Sequence, residues 1–150
     1  MYEKILVPVD GSENCYSALR EAIRIAKLTD GKITVVHVYV RHSPALLEDK
    51  EAWLEDLKDA AKTVLDDAKK IASVEGFEVE TLLLDGDAVH EIVKTVDDQH
   101  FDLIVMGAKG KSNLSKIFLG SVSSGVLKNA SRPVLITKCL KKSNSKNKPT

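Results

Sequence analysis

The chain has 150 residues, with 22 Lys plus Arg against 22 Asp plus Glu and 43% hydrophobic residues. That length suits one domain able to bury a sizeable core, and the balanced charge argues against a general nucleic-acid binder, which carries a basic excess. Cys15 and Cys139 do not make a disulfide framework, the opening MYEKILVPVD lacks a signal peptide's apolar region, and no apolar run approaches the ~20 residues of a membrane span, so a soluble protein of a reducing, cytoplasmic compartment is expected.

Ile5 to Val9 is apolar and β-rich, and Asp10-Gly11-Ser12 breaks it. Pro8 removes a ladder donor and so marks where strand pairing stops, close to a site. Ser12 suits a helix N-cap, with Glu13 in the first turn. Cys15, Leu19, Ala22, Ile23 and Ala26 then share one helical face, and Asp30-Gly31 ends the helix. Ile33 to Val40 reads as the second strand. His37 alternates there with Val36 and Val38, and a lone histidine in a strand is read as a satisfied core residue.

Arg41 to Leu47 is a connecting loop, which could cover a bound nucleotide. From about Lys50 to Val74 an amphipathic helix presents Leu54, Leu57, Ala61, Val64, Leu65, Ala68, Ile71 and Ala72 on one face. Its charged residues form a solvated face. Gly76 ends it. Val79 to Leu84 is the third strand, and Asp85-Gly86-Asp87 leads into a short helix carrying Val89, Ile92, Val93 and Val96 on one face. Asp87 is its expected N-cap.

Leu103 to Met106 is a short unbroken apolar run, as expected of a strand buried on both faces. It stops at Gly107, and Gly107, Gly110, Gly120 and Ser121 follow in the spacing G-x2-G-x9-G-S. From Ser121 a helix is expected with Val122, Val126, Leu127 and Ala130 on one face. Pro133 closes it, and Val134 to Ile136 is a fifth strand. Gly107 and Gly110 allow close backbone approach and positive φ. The helix start at Gly120-Ser121 offers unpaired N–H groups and partial positive charge. Ser121, Ser123 and Ser124 add hydroxyls, and Lys109 and Lys111 add charge. The stretch suits an anion, above all a nucleotide's phosphates.

Several other chemistries lack their residues. Gly110-Lys111-Ser112 matches the end of a Walker A motif, but Val105 stands where its first glycine belongs. There is no G-x-G-x-x-G and no G-x-S-x-G. No cluster of His, Cys and carboxylates has metal-ligand spacing. The alternative for Asp10 is a turn aspartate. The glycine loop favours function instead, because a carboxylate at a strand's carboxyl end could meet a ribose hydroxyl or a metal-bound water.

Met106-Gly107-x2-Gly110-x9-Gly120-Ser121-Val122-Ser123, followed by Ala130 and Arg132-Pro133-Val134-Leu135, resembles the ATP-binding signature of the universal stress protein family. The opening KILVPVDGSE resembles that family's first strand and turn. The resemblance spans both ends of a domain over 1–140, leaving the basic 141–150 as an expected disordered tail.

The alternation of strands and helices implies an α/β fold with an open, five-stranded parallel sheet and helices on both faces. The resemblance adds the order 3-2-1-4-5 and a Rossmann-like, adenine nucleotide alpha hydrolase-like architecture. It implies ATP with Mg or Mn as cofactor. Gly107, Lys109, Gly110, Gly120, Ser121 and Ser123 would hold the phosphates, with Met106 and Val122 beside them. Asp10 would meet the ribose or a metal-bound water. Val9 and Val38 would frame adenine through backbone contacts, next to Pro8. The resemblance further implies a nucleotide-dependent stress regulator with slow or no ATP hydrolysis. It pairs as a homodimer through Val134, Leu135 and Ile136 of the fifth strand, with protein partners unknown. Two alternatives compete with it: a dimerisation scaffold whose glycines only turn the chain, and a receiver domain with Asp85 as phosphoacceptor. The receiver reading lacks an acidic pair after the first strand.

Overall fold

The computed structural model describes residues 1–40, 48–109 and 119–138. Within them the elements run β1 (Lys4–Pro8), α1 (Glu13–Thr29), β2 (Lys32–Tyr39), α2 (Lys50–Val74), β3 (Glu80–Asp85), α3 (Ala88–Asp98), β4 (Leu103–Gly107), α4 (Ser121–Asn129) and β5 (Val134–Thr137). The five strands form one parallel sheet in the order β3-β2-β1-β4-β5. The expectations for 41–47, Gly110, Lys111 and 139–150 fall on positions outside the described residues.

Parallel strands need crossovers, and the helices supply them on both faces. One face packs Ile5, Val7, Ile33, Val35 and Val105 against Leu19, Ala22, Ile23 and Ala26 of α1 and Leu65, Ala68 and Ala72 of α2. The other packs Leu6, Val36, Ile104 and Met106 against Ile92 and Val96 of α3, Phe101, and Val126 of α4. β1 and β4 are central and buried on both faces, hence their unbroken apolar runs.

Local chemistry sets the helix ends. Ser12 Oγ accepts from Cys15 N–H at 3.3 Å, Asp49 Oδ1 from Ala52 N–H at 3.0 Å, and Asp87 Oδ2 from His90 N–H at 2.9 Å. At the end of α1 the left-handed residue is Asp30, at φ 55°. Gly31 serves a different need: a Cβ there would lie 2.6 Å from the Tyr2 carbonyl oxygen.

One apolar face departs from expectation. In α4 the buried residues are Ser123 and Val126, whereas Val122 is 36% and Leu127 49% exposed. Two small residues account for the rotation. A Cβ on Gly125 would lie 2.6 Å from Val89 Cγ2, so α3 and α4 approach through this glycine. Ser123 Oγ donates to the Gly107 carbonyl at 2.7 Å, drawing that side inward.

Candidate functional site

β1 lies between two neighbours whose crossovers leave in opposite directions, so the sheet splits at its carboxyl end. Pro8 widens the split on one side. In a parallel ladder the N–H and C=O of one residue face the same neighbour, and successive residues alternate. Lys4 faces β4, since its carbonyl accepts from Asp102 N–H at 2.8 Å. Pro8 therefore also faces β4, where it has no N–H to give. Pairing of β1 with β4 stops at Leu6↔Ile104, while pairing with β2 continues to Pro8↔Val36. The expected role of Pro8 as the end of pairing is thus realised on the β4 side.

The opening is a cleft of about 400 Å³. Pro8, Val9, Asp10 and Val38 line it from the β1 and β2 ends, Met106, Gly107 and Lys109 from β4 and its loop, and Gly120, Ser121, Val122 and Ser123 from the start of α4. Except for Ser124, which does not line it, the residues nominated for a nucleotide site within the described segments converge on one crevice, although Asp10 and Ser121 are far apart in the chain. Gly110 lies outside the described residues. Among the described residues Cys15, Val36, Ala88 and Ile92 also line it and were not foreseen. Cys15 and Ala88 sit in the first turns of α1 and α3. In a parallel α/β fold those turns gather at the carboxyl ends of the strands, and that regularity is the signal that could have found them.

The individual groups are constrained by their own bonds. Asp10 Oδ1 accepts from Ser12 N–H at 2.9 Å, which holds the turn into α1 and keeps the carboxylate at the rim. The turn role and the cleft position therefore coexist. Gly107 answers to packing: a Cβ there would lie 2.9 Å from the Asn14 carbonyl oxygen of α1. Its φ is not among the positive values, so the expected left-handed role does not apply at this glycine. Ser123 was expected to add a hydroxyl donor, but its hydroxyl proton is committed to the Gly107 carbonyl. Gly120, the N-cap, provides no side-chain hydrogen bond, and the first turn holds no acidic residue. The start of α4 thus keeps its partial positive charge uncompensated by its own side chains.

The cleft wall is apolar between Val36, Val38, Ala88, Ile92 and Met106 and polar toward Asp10, Lys109 and Ser121. Such a division suits a flat apolar ring at one end and a charged group at the other. Burial pushes the Cys15 thiol pKa up; hydrogen bonding with the Asp10 and Gly11 backbone and Ser12 opposes this, and the Asp10 charge adds to it. The thiol also donates to the Ser12 carbonyl at 2.9 Å. It is a wall group held protonated, not a nucleophile.

Among the described residues no group of three or more His, Cys, Asp or Glu could hold a metal ion. A single carboxylate at the rim fits Mg²⁺ only when a ligand's phosphates supply most of the oxygens. No described helix is long and apolar enough to cross a membrane.

A five-stranded parallel sheet of order 3-2-1-4-5 with its cleft at the switch point defines a Rossmann-like, nucleotide-binding type of α/β fold. The model of the universal stress protein family matches residues 1–138. Universal stress protein MJ0531 of Methanocaldococcus jannaschii is 40% identical over 146 residues, covering 95% of this chain and 85% of that protein. The solved structure of MJ0577, a universal stress protein of the same organism, superposes with a TM-score of 0.82 at 34% identity, covering 95% of this chain and 99% of that one. A universal stress protein from Archaeoglobus fulgidus in complex with dAMP aligns with a TM-score of 0.68 at 30% identity, over 90% of this chain and 97% of that one. The structure of a universal stress protein in complex with cAMP gives a TM-score of 0.71 at 25% identity, over 91% of this chain and 97% of that one. The chain belongs to the universal stress protein family.

Proposed function

We propose that this chain binds an adenine nucleotide, ATP in the first place, in the switch-point cleft and acts as a nucleotide-dependent regulator in a stress response. The observation that carries the reading is the convergence of Asp10, Val38, Gly107 and the start of α4 on one cleft with both apolar and polar lining. The dAMP and cAMP complexes of relatives support it.

In this reading adenine lies toward Val9 and Val38. Asp10 meets the ribose, or a water on Mg²⁺ or Mn²⁺ carried in by the phosphates. The phosphates meet Lys109, the N–H groups of Ser121, Val122 and Ser123, and Gly110. Hydrolysis is slow or absent, because γ-phosphate cleavage needs a group that positions water, and Asp10 is the cleft's only carboxylate among the described residues. β5 is an edge strand with Leu135 turned outward and Val134 and Ile136 half-buried. Such an edge calls for cover, and a second copy pairing there supplies it.

The test starts from protein purified without added nucleotide. It is denatured and the released small molecules identified; emptied protein is then titrated with ATP, ADP and AMP, with and without Mg²⁺, beside Gly110→Val. Saturable ATP binding that the variant loses is expected. No released nucleotide and no binding of any of the three would leave a scaffold of the same fold.

A further inference from the structure

The β1–β2 ladder ends in an exchange of partners. The Val36 carbonyl accepts from Val9 N–H at 2.8 Å, so Val36 faces β1. The Tyr39 carbonyl accepts from Gly86 N–H at 3.0 Å, so Tyr39 faces β3. By alternation Val38 faces β1, two residues past the last register pair, Pro8↔Val36. A continued ladder would carry Val38 N–H to the Val9 carbonyl. That oxygen is instead met by His37 Nδ1 at 2.7 Å. A carbonyl only accepts, so the ring carries its proton on Nδ1. The imidazole has taken the place of the next rung.

We infer that His37 is a positioning residue: by occupying the Val9 carbonyl it stops the β1–β2 ladder one bond short and leaves Val38 N–H and C=O side by side at the cleft wall, to read the edge of an adenine base. This rests on the proposed nucleotide site, in which the family resemblance already sets the Val38 backbone against adenine, and adds what keeps those backbone groups free. Adenine presents a ring-nitrogen acceptor beside an exocyclic amine donor, which one residue's N–H and C=O match. Hypoxanthine presents a ring N–H beside an oxygen and mismatches both. His37 touches no ligand; it acts through Val9 and Val38. Pro8 performs the corresponding service on the β4 side by lacking a donor. The crevice is thus opened on one flank by a missing N–H and on the other by a rival one.

The test combines amide exchange in the unliganded protein with the ratio of ATP to inosine triphosphate affinity. In the wild type the Val38 amide is expected to exchange at least about tenfold faster than that of Val36, which lies within the ladder. Equal protection overturns the inference with no variant needed. In His37→Leu the Val9 carbonyl recaptures Val38 N–H. The Val38 amide then slows by about tenfold, and the preference for ATP over inosine triphosphate shrinks by about tenfold, the scale of one hydrogen bond. His37→Asn keeps an N–H donor near the same place and retains both properties. A folded His37→Leu variant with unchanged Val38 exchange and unchanged preference overturns the inference alone. A wild type that binds neither triphosphate overturns the nucleotide site and the base-reading half of the inference, and the exchange comparison still decides whether His37 ends the ladder.

Discussion

The two ends of the sheet are built from the same strands and treat their backbone differently. At the amino end, the strand entries are stitched shut. Asp102 Oδ2 accepts from Glu3 N–H at 3.1 Å and Lys4 N–H at 3.0 Å, Lys4 Nζ reaches the Gln99 carbonyl, and Thr29 Oγ1 donates to the Tyr2 carbonyl at 3.1 Å. Gly31 is pressed so closely to Tyr2 that no side chain fits. At the carboxyl end the same ladder is interrupted by Pro8 and His37, and a cleft of about 400 Å³ opens. The difference teaches where stability and function reside in a parallel α/β domain. Closing polar groups at one end stabilises the chain, and leaving them directed at a cleft at the other makes a site.

This contrast can be broken by substitutions at each end. The largest effect is expected from Gly31→Ala. Its Cβ would lie 2.6 Å from a backbone oxygen, which forces β1 or α1 to shift. The net destabilisation is about 2 kcal/mol, after the small gain from a less flexible unfolded chain. Denaturant midpoints read it, and the folded variant should keep its ATP affinity within about twofold; a parallel loss of affinity would show that the two ends are not separable. Asp10→Ala should do the opposite. ATP affinity falls by about tenfold in calorimetric titration, for the loss of one charge-assisted contact. Stability falls by no more than about 1 kcal/mol, for the bond to Ser12 N–H. Unchanged affinity would return Asp10 to a purely turn-forming role.

The smallest effect is a pH dependence at the cleft wall. The Cys15 thiol has its pKa raised in the folded state by burial. The folded protein therefore holds this proton to higher pH than the unfolded chain does. Its contribution to stability is complete below the ordinary thiol value of about 8.5 and is lost as pH rises through the folded value. Chemical denaturation between neutral and alkaline pH should show that decline, and Cys15→Ala should reduce its slope. An identical slope in the variant would place the titration elsewhere.

Much of this was legible before folding, but unevenly. Strand and helix order, the caps at Ser12 and Asp87, and the two halves of the cleft follow from local patterns. The inward face of α4 follows only in part: Val126 and Ala130 pack inward as expected, and Val122 and Leu127 do not. Periodicity nominated Val122 and Leu127, whereas the helix turns Ser123 and Gly125 inward, toward Gly107 and Val89. Packing between two helices chose small residues over apolar ones because close approach recovers more contact than one exposed leucine forfeits. His37 was read as a satisfied core residue. It is satisfied, but by the one carbonyl whose occupation ends a ladder, and a sequence does not reveal which carbonyl a ring will meet.

The sequence by itself determined the alternating α/β order, the buried central strands and the residue types able to hold an anion, because these depend on neighbours within a few positions along the chain. Only the tertiary structure decided that Asp10, Val38 and Ser121 share one cleft, that Gly31 and Gly107 serve packing, and that His37 meets the Val9 carbonyl. Those outcomes depend on hydrogen-bond direction and on backbone approach between segments far apart in the chain, which exist only once the sheet has formed.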